Sequence, residues 1–238
     1  MMNLLLPLLD IVFPRRCVGC GAPVGEPSGH VCWECLSQWA IIRPPFCSIC
    51  GDPVDGMVAH SYVCGWCVKT RPSFDLARSA ARYRGPLKDL VHKLKYSGST
   101  FIERDLAPLL QACAQAHFPC AEIDAVTFVP LHPTRERERT YNQSHLLAKG
   151  LAHGLLKPVA ARCLIRTRPT ATQTDLTAHE RMMNMQGAFA AREPAWLEGR
   201  TLLLVDDVMT TGATVNECAK ALKGGGAARV FVATVARG

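Results

Sequence analysis

The chain has 238 residues, of which 48% are hydrophobic and 20% are charged, and this composition excludes an intrinsically disordered protein. The formal net charge of +7 lies wholly in residues 73–238, which carry 22 Lys or Arg against 15 Asp or Glu, whereas residues 1–72 carry five of each. The basic part therefore favours an anionic ligand, either a phosphorylated metabolite or a nucleic acid, although a basic soluble surface explains the charge equally well.

The first fourteen residues, MMNLLLPLLDIVFP, are apolar but predict neither a signal peptide nor a membrane span. They lack a basic n-region and a small-residue cleavage site, and Pro7 and Asp10 interrupt a run that is too short to cross a bilayer. We expect a short helix that docks on the protein by its apolar face. No other segment approaches transmembrane length, so we expect a cytoplasmic protein without stable membrane insertion.

Four CxxC pairs come next, namely Cys17/Cys20, Cys32/Cys35, Cys47/Cys50 and Cys64/Cys67. A CxxC turn points two thiolates at one ion, and two such turns complete a tetrahedral Cys₄ shell around Zn²⁺. Disulfides, a thioredoxin-like redox pair and an iron–sulfur cluster fit the regular series of pairs less well. We therefore predict two structural zinc sites within a small domain over residues 1–72, which folds on its metal. Sequential pairing is the simpler arrangement, and interleaved pairing stays open.

From Ser73 onward, strands alternate with helices. The patterns predict strands in DLARSAARY, EIDAVTFVPL, PVAARCLIRT, GRTLLLVDDV and ARVFVATVAR, and helices in PLKDLVHKLKY, IERDLAPLLQACAQAHF, NQSHLLAKGLAHGLL and TGATVNECAKALKGGGA. Strands that are apolar along their full length indicate an α/β domain over residues 73–238, with a mostly parallel sheet and helices on both faces. The remaining cysteines are expected to be buried core thiols: Cys113, Cys120, Cys163 and Cys218.

The stretch TLLLVDDVMTTGAT combines an apolar strand, two adjacent carboxylates at its expected C-terminal tip, and a glycine-bearing turn. A helix is expected to begin near Ala213 or Thr214, and its free N–H groups and dipole suit a phosphate. The residues predicted to bind that phosphate are Thr210, Thr211, Gly212, Ala213 and Thr214. Asp206 and Asp207 can accept hydrogen bonds from two ribose hydroxyls, and a nearby Mg²⁺ would relieve their repulsion. The stretch therefore predicts a ribose 5-phosphate site, and the alternative is a junction with solvated acids and threonine caps.

VDDVMTTGAT resembles the phosphoribosyl diphosphate (PRPP) binding motif of type I phosphoribosyltransferases. Together with the CxxC pairs, LKYSG, VPLHPTRERERTYNQS and TxxQTxLTxxxRxxNMQGAF, it resembles the competence protein F family over essentially the whole chain. The resemblance implies a double zinc ribbon before a type I phosphoribosyltransferase-like domain, PRPP bound with Mg²⁺, and a role in natural transformation. Thr140 departs from the family pattern. The family usually has Gly at this position, followed by an aromatic residue and Asn-Gln, which are Tyr141, Asn142 and Gln143 in this chain.

By resemblance, VPLHPTRERERTYNQS is the loop that receives pyrophosphate. Arg135, Arg137 and Arg139 can bind phosphate oxygens through their forked donors, and an exposed loop with self-neutralising charges is the alternative. His132 either lines the site or orients the loop. Lys95 ends a helix, where a solvated lysine favoured by the helix dipole is expected rather than a phosphate ligand.

The segment RCLIRTRPTATQTDLTAHERMMNMQGAF is long, polar and basic. By resemblance it is the flexible loop that closes over PRPP, with Thr170, Gln173 and Arg181 as candidate contacts. A loosely packed basic hairpin is the alternative.

Two classes of function stay open. In the first, Asp206 and Asp207 are catalytic residues of a phosphoribosyltransferase, and a nucleophile on an unknown acceptor displaces pyrophosphate from C1 of PRPP. In the second, the chain is a non-catalytic module for DNA uptake that binds single-stranded DNA or a protein partner. Aromatic residues that could stack DNA bases are Tyr83, Tyr96, Tyr141 and Trp196.

Overall fold

The structure is a computed structural model that describes residues 15–24, 29–56, 58, 61–169 and 178–238. The expected N-terminal helix, Thr170, Gln173 and the side chain of Arg181 lie outside this description. Among the helices of the described residues, none combines the length and the apolar character that a membrane crossing requires.

The predicted alternation of strands and helices is confirmed. The strands are β1 (Leu76–Arg82), β2 (Ala125–Phe128), β3 (Leu164–Arg166), β4 (Phe189–Ala191), β5 (Thr201–Met209) and β6 (Arg229–Arg237). The helices of the Cys-rich part are α1 (Trp33–Ser37) and α2 (Gly65–Thr70). Those that follow are α3 (Gly85–Tyr96), α4 (Glu103–His117), α5 (Pro133–Arg139), α6 (Gln143–Leu155), α7 (Ala178–Met185), α8 (Pro194–Leu197) and α9 (Ala213–Gly224).

Four strands form a parallel sheet in the order β1-β6-β5-β2, and helices cover both of its faces. Side chains alternate across a strand, so Leu203 and Val205 of β5 pack in one hydrophobic cluster with α3, α4 and α6. Leu202 and Leu204 pack in a second cluster with α9 on the opposite face. Burial on both faces explains why β5 and β6 are apolar along most of their length.

The predicted strand PVAARCLIRT is shorter than expected. Val159 makes one parallel bridge to Val126 at the edge of β2, and a turn at residues 161–163 follows. Only Leu164–Arg166 then forms a strand, which pairs antiparallel with β4 in a separate two-stranded sheet. Arg162 is exposed in that turn, which separates the bridge from the strand.

The Cys-rich part packs on both faces of the sheet. Cys17 and Cys35 belong to the cluster with α3 and α4, whereas the second set of cysteines belongs to the cluster with β5 and α9. The division of the chain at residue 72 stays a prediction.

Among the other cysteines, Cys113, Cys163 and Cys218 are buried as expected, and Cys120 is only half-buried.

Candidate functional site

The eight CxxC cysteines form two separate clusters, Cys17/Cys20/Cys32/Cys35 and Cys47/Cys50/Cys64/Cys67. Within each cluster all four sulfurs lie within 4.8 Å of one another, and individual sulfur–sulfur distances are 3.6–3.7 Å. Four Zn–S bonds of about 2.3 Å place tetrahedral sulfurs roughly 3.8 Å apart, so both clusters fit zinc. Burial opposes ionisation of Cys17, but backbone hydrogen bonds led by the N–H of Cys32 lower its thiol pKa to about 6. Sequential pairing is confirmed.

The acidic pair lies inside β5, and the expectation that it emerges at the strand tip is wrong. β5 continues to Met209 alongside β6, whereas β2 ends at Phe128 beside Val205. Asp206 and Asp207 therefore lie just beyond the end of one neighbouring strand, where they are 8% and 3% exposed. This burial excludes the alternative of a junction with solvated acids.

Three donors hold the acidic pair in place. The Ser144 hydroxyl donates to Asp206 Oδ1 at 2.8 Å, and the backbone N–H of Asp207 donates to the same oxygen at 2.9 Å. Lys95 Nζ lies 3.0 Å from Asp207 Oδ1, with only 20% of the lysine side chain exposed. The expectation that Lys95 is solvated is therefore wrong. Asp207 Oδ2 is buried without a hydrogen-bond partner among the described residues.

These contacts explain how two adjacent carboxyl groups tolerate burial. Burial and the neighbouring Asp207 raise the pKa of Asp206 from 3.8 to about 7. Burial alone would lower the pKa of Lys95, but attraction to Asp207 and Asp206 outweighs it and raises that pKa. Near neutral pH, Asp206 is therefore partly protonated, and a lysine that keeps its charge stands beside Asp207.

The acidic pair lines a cavity of about 610 Å³. Its cationic lining consists of Lys95, Arg135, Arg139 and Arg166. Its other polar lining residues include Tyr96, His132, Gln143, Ser144 and Thr214. Four cations against two carboxyl groups give the cavity a positive balance, which favours an anionic ligand.

The arginine segment is a helix, and its expected loop conformation is wrong. Pro133 occupies the first helical turn, and His132 caps the helix by accepting a hydrogen bond at Nδ1 from the Thr134 N–H at 3.4 Å. Residues four apart share a helix face, so Arg135 and Arg139 both line the cavity. Arg137 does not line the cavity and is exposed.

Thr140 ends this helix with φ of 65°, in the left-handed region. Glycine adopts that conformation freely, whereas a β-branched residue is strained in it. The geometry therefore accounts for glycine in the family pattern at the position where this chain has threonine.

Three consecutive residues of the site were missed by the sequence analysis. Asn142 caps α6 by accepting a hydrogen bond from the Ser144 N–H at 2.9 Å, and its amide group donates to a backbone carbonyl of the strand-end segment. Gln143 accepts a hydrogen bond from Arg139 at 3.0 Å, and Ser144 holds Asp206. An asparagine at a helix start was the available signal, but it indicated a cap rather than a site.

The predicted phosphate-binding residues lie together in the turn between β5 and α9 and in the first helical residues of α9. α9 begins at Ala213 as expected, and Gly212 precedes it with φ of 78°. A Cβ at Gly212 would lie 2.8 Å from the mobile end of the Met209 side chain, which can shift, so it is the positive φ that favours glycine here. Residues of this turn also line a small pocket of about 30 Å³, and Asp206 is part of the same lining. The turn and the acidic pair therefore adjoin.

The second Cys₄ cluster packs against this turn. The Trp66 ring lies 3.4 Å from the position that a Cβ at Gly212 would take, and it stacks on Phe74 at a centroid distance of 6.3 Å. Arg237 of β6 donates a hydrogen bond to Cys50 Sγ at 3.9 Å. The second Cys₄ cluster is therefore joined to the turn through Trp66 and to the parallel sheet through Arg237.

The four aromatic candidates have different surroundings. Tyr96 is 59% exposed at the rim of the cavity, with the Arg139 guanidinium 4.7 Å from its ring centroid. The Tyr141 hydroxyl donates to the Leu94 carbonyl at 2.5 Å, and the Trp196 ring lies under Arg200. Of the four, Tyr96 alone lines the cavity within the described part of the chain.

Comparison with known proteins matches both parts of the chain. A family model described as a double zinc ribbon domain matches residues 8–68, and one described as a phosphoribosyl transferase domain matches residues 142–238. Competence protein F of Haemophilus influenzae is 32% identical over 94% of this chain and 98% of that protein. DNA utilization protein YhgH of Salmonella typhimurium is 36% identical over 85% of this chain and 94% of that protein.

Among solved structures, glutamine PRPP amidotransferase from B. subtilis, complexed with ADP and GMP, is 23% identical over 56% of this chain and 26% of that chain, with a TM-score of 0.39.

Proposed function

This chain belongs to the competence protein F family and carries a double zinc ribbon and a phosphoribosyl transferase domain, and we propose that its cavity binds the ribose 5-phosphate part of PRPP. The observation that supports this proposal most is that the acidic pair adjoins both segments that are predicted to bind anions. Asp206 lines the small pocket of the turn at residues 210–214, and both aspartates line the larger cavity together with its basic residues.

Each part of PRPP has a matching surface in this arrangement. The 5-phosphate meets the turn at the N-terminus of α9, where backbone N–H groups and the helix dipole favour an anion. The ribose hydroxyls donate to the carboxyl groups of Asp206 and Asp207. The diphosphate meets Arg135 and Arg139, which share a helix face towards the cavity. Arg137 has no role in this arrangement.

Magnesium fits the same site. Mg²⁺ prefers oxygen ligands and is usually held by one or two carboxylates together with substrate phosphates. The unpartnered Oδ2 of Asp207 and the diphosphate oxygens supply such a set. When bound, the ion would neutralise charge on the diphosphate.

The same geometry suits phosphoribosyl transfer. A nucleophile forms a bond to C1 while the C1–O bond to pyrophosphate breaks, and pyrophosphate leaves with the electron pair. Arg135 and Arg139 stabilise the negative charge that develops on the leaving group, and the acidic pair stabilises the positive charge on the sugar. The acceptor is unassigned.

A second function, binding of single-stranded DNA, is favoured by the rim of the cavity. Tyr96 is exposed and pairs with Arg139, a combination that can stack a base and contact its phosphate. A relative is named a DNA utilization protein, and the basic charge of residues 73–238 agrees with such a ligand. A protein partner for the zinc ribbons and a cytoplasmic location stay predictions.

Titration of the zinc-loaded protein with PRPP, with and without Mg²⁺, tests the proposal. Asp206→Asn/Asp207→Asn should abolish Mg²⁺-dependent PRPP binding while circular dichroism shows an intact fold. Asp89→Asn, which removes an exposed carboxylate from α3, serves as the matched control. Equal PRPP affinity of the double variant and the wild type would contradict the proposal. Single-stranded DNA binding that survives the double change and weakens steeply with salt would support the second function.

A further inference from the structure

The contact between Lys95 and Asp207 supplies a positive charge to the acidic pair. Two adjacent carboxyl groups repel each other unless a cation such as Mg²⁺ lies beside them. In the structure a side chain of the same protein supplies one, since Lys95 Nζ lies 3.0 Å from Asp207 Oδ1. The lysine side chain is 20% exposed and the aspartate side chain 4%, so the pair is shielded from solvent.

Lys95 is held in this position by the packing of its helix. Leu87, Leu90 and Leu94 of α3 are completely buried, so the helix cannot turn without exposing them. The Tyr141 hydroxyl also donates to the Leu94 carbonyl at 2.5 Å, which fixes the end of the helix beside the cavity. The backbone of Lys95 is therefore fixed beside the cavity, and the ion pair with Asp207 holds the ammonium group there.

This cation comes from outside the part of the chain that matches the phosphoribosyl transferase model, which covers residues 142–238. Asp206, Asp207 and the turn lie inside the matched part, whereas α3 precedes it. The lysine is thus added to the acidic strand by a different segment of this protein.

A divalent cation and the ammonium group would compete for the same carboxylate. Mg²⁺ requires oxygen ligands at about 2.0–2.1 Å in near-octahedral geometry, and a second cation close to one of those ligands repels it. Asp207 Oδ2 remains available, but one carboxylate oxygen is too few ligands without others. A diphosphate would supply the missing oxygens, whereas the single phosphate of ribose 5-phosphate is expected in the turn of residues 210–214.

We propose that Lys95 is the resident counter-ion of the acidic pair, so that ribose 5-phosphate binds without a divalent cation. The proposal rests on the proposed function, because it concerns the same sugar-phosphate site. Lys95 is a positioning residue in this scheme, since it acts on the sugar through Asp207.

The test compares ribose 5-phosphate binding in magnesium-free buffer and in millimolar Mg²⁺ by isothermal titration. Magnesium is removed from the buffer with a resin and not with a chelator, so that the Cys₄ sites keep their zinc. The variant is Lys95→Met, and the matched control is Lys88→Met, which removes an exposed lysine from the same helix.

Wild type and Lys88→Met should bind ribose 5-phosphate with the same affinity in both buffers, and should bind PRPP more tightly with Mg²⁺. Lys95→Met should lose about tenfold or more in ribose 5-phosphate affinity without Mg²⁺, because uncompensated carboxylates repel the phosphate, and should regain it when Mg²⁺ is added. A merely structural lysine would change the affinity without creating this dependence on Mg²⁺.

A second measurement needs no variant. Mn²⁺, a paramagnetic substitute for Mg²⁺, should give no water-proton relaxation enhancement with the ligand-free, zinc-loaded wild type, and should give one after addition of PRPP. Enhancement with the ligand-free protein that disappears in Asp207→Asn would overturn the proposal, as would ribose 5-phosphate binding by wild type that requires Mg²⁺. Failure of wild type to bind either sugar phosphate in any buffer would contradict the proposed function itself.

Discussion

The raised pKa of Asp206 predicts an unusual dependence of stability on pH. An aspartate in the unfolded chain loses its proton near pH 3.8, whereas Asp206 in the folded protein loses it near pH 7. Between these values the folded state binds a proton that the unfolded state has released, so the free energy of unfolding falls as pH rises. The loss is about 1.4 kcal/mol per pH unit and reaches roughly 4 kcal/mol above pH 7.

Asp206→Asn removes this penalty while keeping a side-chain oxygen that can accept hydrogen bonds from Ser144 and from the Asp207 N–H. The variant should therefore gain stability relative to wild type as pH rises, by about 2 kcal/mol between about pH 5.5 and about pH 8.5, with little further gain above pH 7. Urea unfolding of the zinc-loaded proteins at a series of pH values measures this difference, and titrations shared by both proteins cancel.

Asp89→Asn is again the control, because it removes an exposed carboxylate. A difference in unfolding free energy between Asp206→Asn and wild type that stays constant across this pH range would contradict this prediction. It would mean that Asp206 is ionised in the folded protein throughout, and that the hydrogen bonds from Ser144 and Asp207 outweigh its burial.

Three further predictions concern the turn, the arginine helix and the zinc sites. Thr140→Gly should raise the free energy of unfolding by about 1 kcal/mol in urea titrations, because it relieves a positive φ. Gly212→Ala should weaken ribose 5-phosphate binding by about tenfold or more in isothermal titrations, because alanine is strained at a φ of 78° and would shift the turn. A metallochromic chelator should remove zinc in two phases, with the first Cys₄ cluster releasing its ion sooner, because Cys20 is exposed whereas all four cysteines of the second cluster are buried. Cys17→Ser should abolish the fast phase.

Each of these predictions has a clear contrary result. A less stable Thr140→Gly would show that the threonine side chain contributes more than its backbone strain costs. Unchanged affinity in Gly212→Ala would show that the turn does not contact the phosphate. A single phase of zinc release, or a fast phase that survives Cys17→Ser, would show that burial does not separate the two clusters.

The sequence predicted those features that arise from local patterns. The β5 strand and α9 were recognisable because an apolar run, a glycine and a helical repeat follow one another directly between Thr201 and Gly224. The regular series of CxxC pairs indicated zinc, and sequential pairing was the simpler of the two arrangements left open, which the structure confirms. In such cases the residues that decide the structure are close neighbours in the chain.

The features that were missed depend on tertiary contacts. The helix dipole explains why a lysine is favourable at the end of α3, but only the packing of that helix beside β5 brings Lys95 to Asp207. The sequence alternates arginine and glutamate between Arg135 and Arg139, which suggested an exposed loop, whereas the helix separates Arg137 from the other two. Ser144 likewise reaches Asp206 only because α6 packs against β5.

A crystal structure of the zinc-loaded protein with ribose 5-phosphate tests the proposed site most directly. We expect the phosphate within hydrogen-bond distance of backbone N–H groups in the turn of residues 210–214, and the ribose hydroxyls on Asp206 and Asp207. A sugar phosphate bound elsewhere, for instance on Arg135 and Arg139 with its hydroxyls away from the acidic pair, would contradict it.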